Sequence, residues 1–419
     1  MAGGGGGAVS GYILLSDLCV TITKGTTPNE KDGGFSNAGI NYIKSESLSY
    51  DGSVDHSKFA FISAQTNEKL RRSKIQNNDI LYSIAGANLG KCGMARKEHL
   101  PANTNQAVAI IRADPQKASP RFISFCLRDP KFVQSVLGGV AQSAQPNVNL
   151  AEIGRFRIPN LPVPNQRAIA ATLGALDDKI ELNRKMNATL EAMARALFRD
   201  WFVDFGPTRA KMAGEAPYLS PTLWPLFPDR LDDAGKPEGW EVGAMSDLFT
   251  LQRGFDLPSQ DRREGHYPIL AASGPSGFHE IYMVKGPGVT TGRSGVLGRV
   301  FYVHGDFWPL NTSLWINDFK RATPLYAYYF LNLIDLAGFN AGSAVPTLNR
   351  NHIHGLPAVL PPRELIAAFD RLADSLMKRH RQNEIENETL AQTRDLLLPR
   401  LMSGELRVVG AERMVEAVL

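Results

Sequence analysis

Apolar and interior-type residues recur in steps of four and three between about Gln166 and Phe202, at Ile169, Leu173, Leu176, Ile180, Asn183, Asn187, Leu190, Ala194, Leu197 and Trp201. That stretch holds no proline and a single glycine, so the spacing predicts a long helix with a heptad seam. A weaker seam of the same layout follows at Phe369, Ala373, Leu376, His380, Asn383, Asn387, Leu390, Arg394, Leu397 and Leu401, with no proline between Arg363 and Leu398. Each helix is expected to extend on the order of 55 Å at about 1.5 Å per residue. Asn183 and Asn187 fall mid-helix, as do Asn383 and Asn387. An antiparallel pairing brings the four together, and asparagines in such a seam fix register at some cost in stability. The expected pairing set is Leu176, Ile180, Asn183, Asn187, Leu190, Leu376, Asn383, Asn387 and Leu390.

The two seams belong to a longer repeat. Laid on itself at a displacement of 200 residues, the chain sets Ser143-Ala-Gln-Pro-Asn-Val-Asn149 over Ser343-Ala-Val-Pro-Thr-Leu-Asn349. The register persists to Asn187, Thr189, Leu190 and Leu197 over Asn387, Thr389, Leu390 and Leu397. Ahead of each helix lie a strand-like region rich in glycine and aromatic residues and a proline-bearing junction. The expected fold is therefore α+β: two mixed α/β domains separated by two long antiparallel coiled-coil helices, related by a pseudo-two-fold repeat. The expected segments are a flexible glycine-rich start at 1–10, a first domain at 11–160, a first spacer helix within 161–205, a linker at 206–239, a second domain at 240–358, a second spacer helix within 359–405 and a tail at 406–419.

Composition narrows the class without naming it. With 419 residues, 43% hydrophobic and 21% charged, the chain is of ordinary globular type and long enough for two or three domains. A formal charge of +4 and a pI near 8.8 tolerate a polyanionic partner without demanding one. The three cysteines, Cys19, Cys92 and Cys126, form no C-x-x-C pair, which argues against a zinc ribbon or a disulfide framework and fits a reducing, cytoplasmic compartment. No apolar run long enough to span a membrane and no secretory layout are seen, so no membrane partner is expected.

Motifs for chemistry within the chain are weak. Gly86-Ala-Asn-Leu-Gly90-Lys91-Cys92 is one residue short of a phosphate-binding loop and lacks the hydroxyl that would hold magnesium. It reads better as a tight strand-loop-strand turn presenting backbone amides and Lys91 to a phosphate. Asp229, Asp233 and Lys236 suggest a nuclease cluster but lie in a Pro/Gly-rich linker without a strand to fix a metal, and read as loop acids. His352 and His354, two apart with no acidic or cysteine companion, read as loop histidines, not ligands. No Asn-Pro-Pro-aromatic element and no G-x-S-x-G elbow occur. Neither a catalytic nor a metal site is expected.

The stretch Leu161-Pro-Val-Pro-Asn-Gln-Arg-Ala-Ile-Ala-Ala-Thr-Leu173, continuing to Leu197-Phe-Arg-Asp-Trp-Phe-Val-Asp-Phe-Gly-Pro207, resembles the central conserved region of the specificity subunits of type I restriction-modification systems. Leu398-Pro-Arg-Leu-Met-Ser-Gly-Glu-Leu-Arg407 is similar to their distal conserved region, and Pro237-Glu-Gly-Trp240 to the entrance of a second target-recognition domain. Asp79-Ile-Leu-Tyr-Ser83 before a glycine loop also fits. One departure is the abrupt start of the first domain at Tyr12 after the glycine run. The resemblance implies a non-catalytic chain that binds double-stranded DNA, two modification subunits and two restriction subunits. S-adenosylmethionine, ATP and magnesium would be cofactors of those partners, with none in this chain. Each domain would read one half of a split site, the helices setting the gap. The alternative is a non-catalytic coiled-coil scaffold for other proteins.

Groove readout draws on Arg, Lys, Asn and Gln, with hydroxyls and cations on phosphate. The candidates are Lys44, Ser83, Asn88, Lys91, Asn105, Gln142, Gln145 and Asn147 in the first domain, and Ser273, Thr291, Arg293, Ser294, Arg299, Asn311, Thr347 and Asn349 in the second. Gly292-Arg293-Ser294-Gly295 is the sharpest, because its glycines permit close approach and arginine pairs with guanine.

Overall fold

The computed structural model describes residues 11–140, 147–342 and 344–419. It divides into two compact units, Met1–Lys185 with Asn383–Leu419, and Met186–Gln382. Each unit holds one globular domain, half of one long helix and the complementary half of the other.

In the first domain the strands are β1 (Tyr12–Leu14), β2 (Cys19–Lys24), β3 (Ile40–Ile43), β4 (Ala60–Ile62), β5 (Ile80–Ser83), β6 (Cys92–Met94), β7 (Ala102–Thr104), β8 (Val108–Ala113) and β9 (Arg157–Pro159). They form sheets of order β2-β8-β5-β6, β4-β3-β7 and β1-β9. Residues of β5 and nearly all of β8 are buried, which is why Ile80-Leu-Tyr-Ser83 and Val108-Ala-Ile-Ile111 read as apolar runs without alternation.

The second domain repeats this strand for strand. Its strands are β10 (Glu241–Ala244), β11 (Thr250–Arg253), β12 (Tyr267–Ala271), β13 (Gly274–His279), β14 (Gly288–Gly292), β15 (Val300–Val303), β16 (Trp308–Pro309), β17 (Ser313–Asp318) and β18 (Pro357–Leu360). Sheet orders are β11-β17-β14-β15, β13-β12-β16 and β10-β18. Even the parallel pair recurs, β3 with β7 and β12 with β16. The entrance strand of the first domain is intact: β1 pairs with β9 as β10 pairs with β18.

Local signals are duplicated too. Ser119 and Thr323 cap the helices Pro120–Arg128 and Pro324–Leu331, each with proline in the first turn. Asn149 and Asn349 cap Leu150–Gly154 and Arg350–His354. His352 and His354 therefore lie on a helix, not in a loop, and His354 Nε2 accepts the Leu251 amide at 2.8 Å. The expected linker is partly structured: Gly206–Met212 is helical, and Arg230–Glu238 closes a turn through Asp232–Lys236 and Arg230–Glu238 ion pairs. Asp229 is held by Lys211 at 3.0 Å.

The long helices are Val163–Phe202 and Arg363–Met402, each 40 residues and about 60 Å long at 1.5 Å per residue. The second continues through Pro399, one turn from its end, beyond the proline-free stretch on which its expected span rested. Within each unit the halves run antiparallel. In the first, Asp177 meets Arg394 and Asn183 Nδ2 donates to Asn387 Oδ1 at 3.0 Å. In the second, Asn187 donates to the His380 carbonyl at 3.2 Å and Phe198 packs on Phe369. Leu176, Ile180 and Leu390 are buried in the first unit's core, and Leu376 packs partly buried against the second's. Leu190 is half-buried. Asn183, Asn187 and Asn383 are buried, while Asn387 is half-buried.

The two helix seams differ chemically. In the first unit, Asp177 bridges Arg394 at 2.8 Å and Arg128 at 2.7 Å, with all three side chains mostly buried. Burial works against the charge of Arg394, yet Asp177 and Asp395 hold its pKa above the ordinary value. The positions 200 residues away are the apolar Met377 and Ala194, both in the second unit's core. There Phe198, Phe202, Tyr326, Tyr329 and Phe369 make an aromatic cluster in place of the ion network.

Candidate nucleic-acid interface

The loops at one end of each domain's four-stranded sheet converge on the same frame. The chain leaving β2 crosses β7 and β8 at Gly25, whose amide donates to Val108; leaving β11 it crosses at Gly254, whose amide donates to Ser313. A Cβ at Gly25 would fall on the Thr104 carbonyl, and one at Gly254 on that of Leu310, so only glycine allows either crossing. The next amides, of Thr26 and Phe255, donate to Thr104 and Pro309.

After β5 and β14 the correspondence continues. The amides of Ile84 and Arg293 donate to Ala107 and Thr312, and their carbonyls accept from Val148 and Leu348, all at 2.8 to 2.9 Å. Ala85 bridges Asn147 as Ser294 bridges Thr347. A side-chain clasp closes each frame: Thr27 to Gln106 in the first domain, Asn311 Nδ2 to Asp256 Oδ1 in the second.

On these matched frames the exposed chemistry differs. The first domain offers Lys24, Thr27 and Gln106, while Ile84 of the same frame is buried. The second offers Arg253, Asp256, Asn311 and Arg293. Arg253 lies 3.7 Å from Asp256, and Arg293 Nε donates to the Asn311 carbonyl at 2.8 Å. Burial and then the neighbouring Arg253 lower the pKa of Arg293, with Asp256 opposing them. A fixed backbone carrying divergent polar side chains is suited to reading different sequences with one geometry.

The structure separates the expected contact residues into groups. Arg293, Ser294, Asn311 and Thr347 gather at the second frame, and Asn105 and the exposed Asn147 at the first. Asn105 also caps its own turn through the Ala107 amide. Asn88 and Lys91 form a second group in the first domain: Lys91 donates to Asn88 at 2.8 Å, and Asn88 reaches Ser45 at 3.3 Å. Nearby in sequence, the half-buried Lys44 sits 5.0 Å from the Phe35 ring. The loop Gly86–Cys92 is the strand-loop-strand turn between β5 and β6. Arg299, exposed over Phe301, donates to the carbonyl of Ser273, itself exposed.

Two expectations need correction. Ser83 and Thr291 are buried within their strands, at 0% and 1% exposure, and side chains without surface cannot touch a groove. Asn349 is exposed and, like Asn105, uses its side-chain oxygen on a nearby backbone amide, here as a helix cap. Gln142, Gln145, Ser143 and Ser343 lie outside the described residues. The frames also expose Lys24, Thr27, Gln106, Arg253 and Asp256, which sequence reasoning did not single out. The available signal was a basic residue followed by glycine, Lys24-Gly25 and Arg253-Gly254, displaced by 229 positions instead of 200.

Among the described residues, His56, Glu98 and His99 bring possible metal ligands within 4.8 Å of one another. Protein partners already engage two of them. His99 Nδ1 accepts the Arg96 amide at 3.0 Å, placing its proton on Nε2, and Glu98 pairs with Lys185 at 3.0 Å. Burial, then His56, pull the His99 pKa down to about 4, which keeps the ring neutral. No helix among the described residues is long and apolar enough to cross a membrane.

Comparison with known proteins places this architecture. Residues 12–192 and 237–387 match the type I restriction modification DNA specificity domain. The type I restriction enzyme HindI specificity subunit of Haemophilus influenzae is 25% identical over 414 residues, covering 80% of this chain and 88% of that one. The MjaIX specificity subunit of Methanocaldococcus jannaschii is 25% identical over 334 residues, covering 74% of each. A type I restriction-modification S subunit from M. genitalium shares the fold, with a TM-score of 0.54 at 15% identity over 93% of this chain and 95% of that one. With the duplicated frame and two profile matches spanning most of its length, the chain belongs to the type I restriction-modification DNA specificity family and is a DNA specificity subunit.

Proposed function

We propose that each globular domain reads one half of a bipartite duplex site and that the paired long helices set the unread gap between the halves. The chain itself carries out no bond-making step. It directs adenine methylation by two modification subunits and cleavage by two restriction subunits, which bring S-adenosylmethionine, and ATP with magnesium, to the cytoplasmic complex. The observation that carries this reading is the strand-for-strand duplication of a loop frame whose exposed side chains differ between copies.

Duplex binding by the chain with its modification partner tests the reading. Contacts to phosphate release counterions, so affinity is expected to fall on the order of 10³-fold between 50 and 200 mM salt. Replacing either half of the preferred site is expected to weaken binding further. Salt-insensitive binding, indifferent to both halves, would instead favour a protein-interaction scaffold.

A further inference from the structure

The second domain's frame carries two guanidinium groups where the first has one ammonium and an isoleucine. Lys24 corresponds to Arg253, since each precedes the crossing glycine, and Ile84 corresponds to Arg293 through the same pair of backbone hydrogen bonds. The two arginines are held differently. Arg293 is half-buried, its Nε fixed on the Asn311 carbonyl, and its Nη groups have no hydrogen-bond partner among the described residues. Arg253 is exposed and only loosely held, 3.7 Å from Asp256. Asp256 accepts from Asn311 Nδ2, so the same residue that orients Arg293 through its carbonyl is anchored by its side chain.

A guanidinium fixed at Nε presents its two Nη groups as a planar fork, which matches the N7 and O6 acceptors of guanine in the major groove. A loosely held, exposed arginine suits a phosphate, where charge matters more than angle. We propose that Arg293 reads a guanine in the half-site of the second domain, that Arg253 binds a flanking phosphate, and that Asp256 is the positioning residue that holds the Asn311 loop beneath Arg293. The proposal rests on the bipartite-reading function above and adds a base identity to one half. Because Ile84 is buried and apolar, the first domain makes no corresponding contact from that position.

The test is selection of bound duplexes from a library randomised in both half-sites, using the full chain with its modification partner. The wild type is expected to select guanine at a fixed position of the second half. Arg293→Ala is expected to lose about 10- to 100-fold of that preference while first-half preferences stay unchanged. Arg253→Ala should weaken all duplexes alike and flatten the salt dependence by about one phosphate contact. Asp256→Ala should relax the guanine preference with Arg293 intact, and Asp256→Asn, which keeps an acceptor for Asn311, should restore it. Replacing the selected guanine with 7-deazaguanine removes N7 without touching the protein, and should cost the wild type at least fivefold but Arg293→Ala almost nothing. A second half-site without guanine, or a preference untouched by Arg293→Ala and by 7-deazaguanine, would overturn the proposal. Loss of sequence preference in both halves of the wild-type selection would instead overturn the reading beneath it.

Discussion

Replacing Asp177 with alanine is expected to destabilise the first unit by about 3 kcal/mol, the lower end of the cost of breaking a buried ion pair. Asp177 is the shared anion for Arg394 at 2.8 Å and Arg128 at 2.7 Å, whose side chains are 8% and 7% exposed. Removing it leaves two guanidinium groups in a low-dielectric seam. Arg394 keeps Asp395 at 2.9 Å, but that carboxylate is half exposed and screened, which limits the rescue without abolishing it. The other unit shows how the same seam is built without charge, with Met377 and Ala194 at the equivalent positions. The combined change Asp177→Met with Arg394→Ala should therefore recover part of the loss, Arg128 keeping only the Asp51 carbonyl as partner. Hydrogen exchange at the buried amides of β5 and β8 is the appropriate measure, since all five tryptophans lie in the other unit. Equal destabilisation by the single and combined changes would mean that the pair is not coupled.

In the second unit the largest loss is expected from Phe198→Ala, about 3 to 5 kcal/mol. Phe198 is 1% exposed and lies between the rings of Phe202, Tyr326 and Phe369 at 5.1, 5.1 and 5.4 Å, with Tyr329 at 6.0 Å. It joins the first long helix to the helix Pro324–Leu331 and to the second long helix, so truncation opens a cavity where three elements meet. Chemical unfolding followed by tryptophan fluorescence reports this unit directly, Trp201 and Trp240 being part of the same core. Phe198→Leu, which refills much of the volume, should restore more than half. A loss below about 1 kcal/mol for the alanine variant would show that the surrounding rings collapse into the space.

The difference between these seams explains what could be read from the chain in advance. The helices and their antiparallel pairing were legible because the 200-residue repeat preserves seam spacing, and Asn149 and Asn349 were legible as equivalent positions of the repeat though not as helix caps. Arg394 was visible as a seam position, but its partner Asp177 lies one residue off the seam and Arg128 on a separate helix. Periodicity cannot reveal an ion network assembled across elements. The loop frame was hidden for another reason. Between Gly25 and Asn149 the first domain is longer than the second between Gly254 and Asn349, so the displacement drifts from 229 to 200 and a single overlay misses the front of each domain. Ser83 and Thr291 were misread because a hydroxyl just ahead of a glycine-bearing turn looks like a loop ligand, whereas both sit on fully buried strands.

One chain is expected to select two separated half-sites. The decisive measurement is a map of methylated adenines across the genome of cells that express this chain with its modification partner. Two short specified motifs divided by a constant number of unspecified base pairs are expected, with modified adenines tied to both motifs. A single contiguous motif, or two motifs whose spacing varies from site to site, would contradict that expectation.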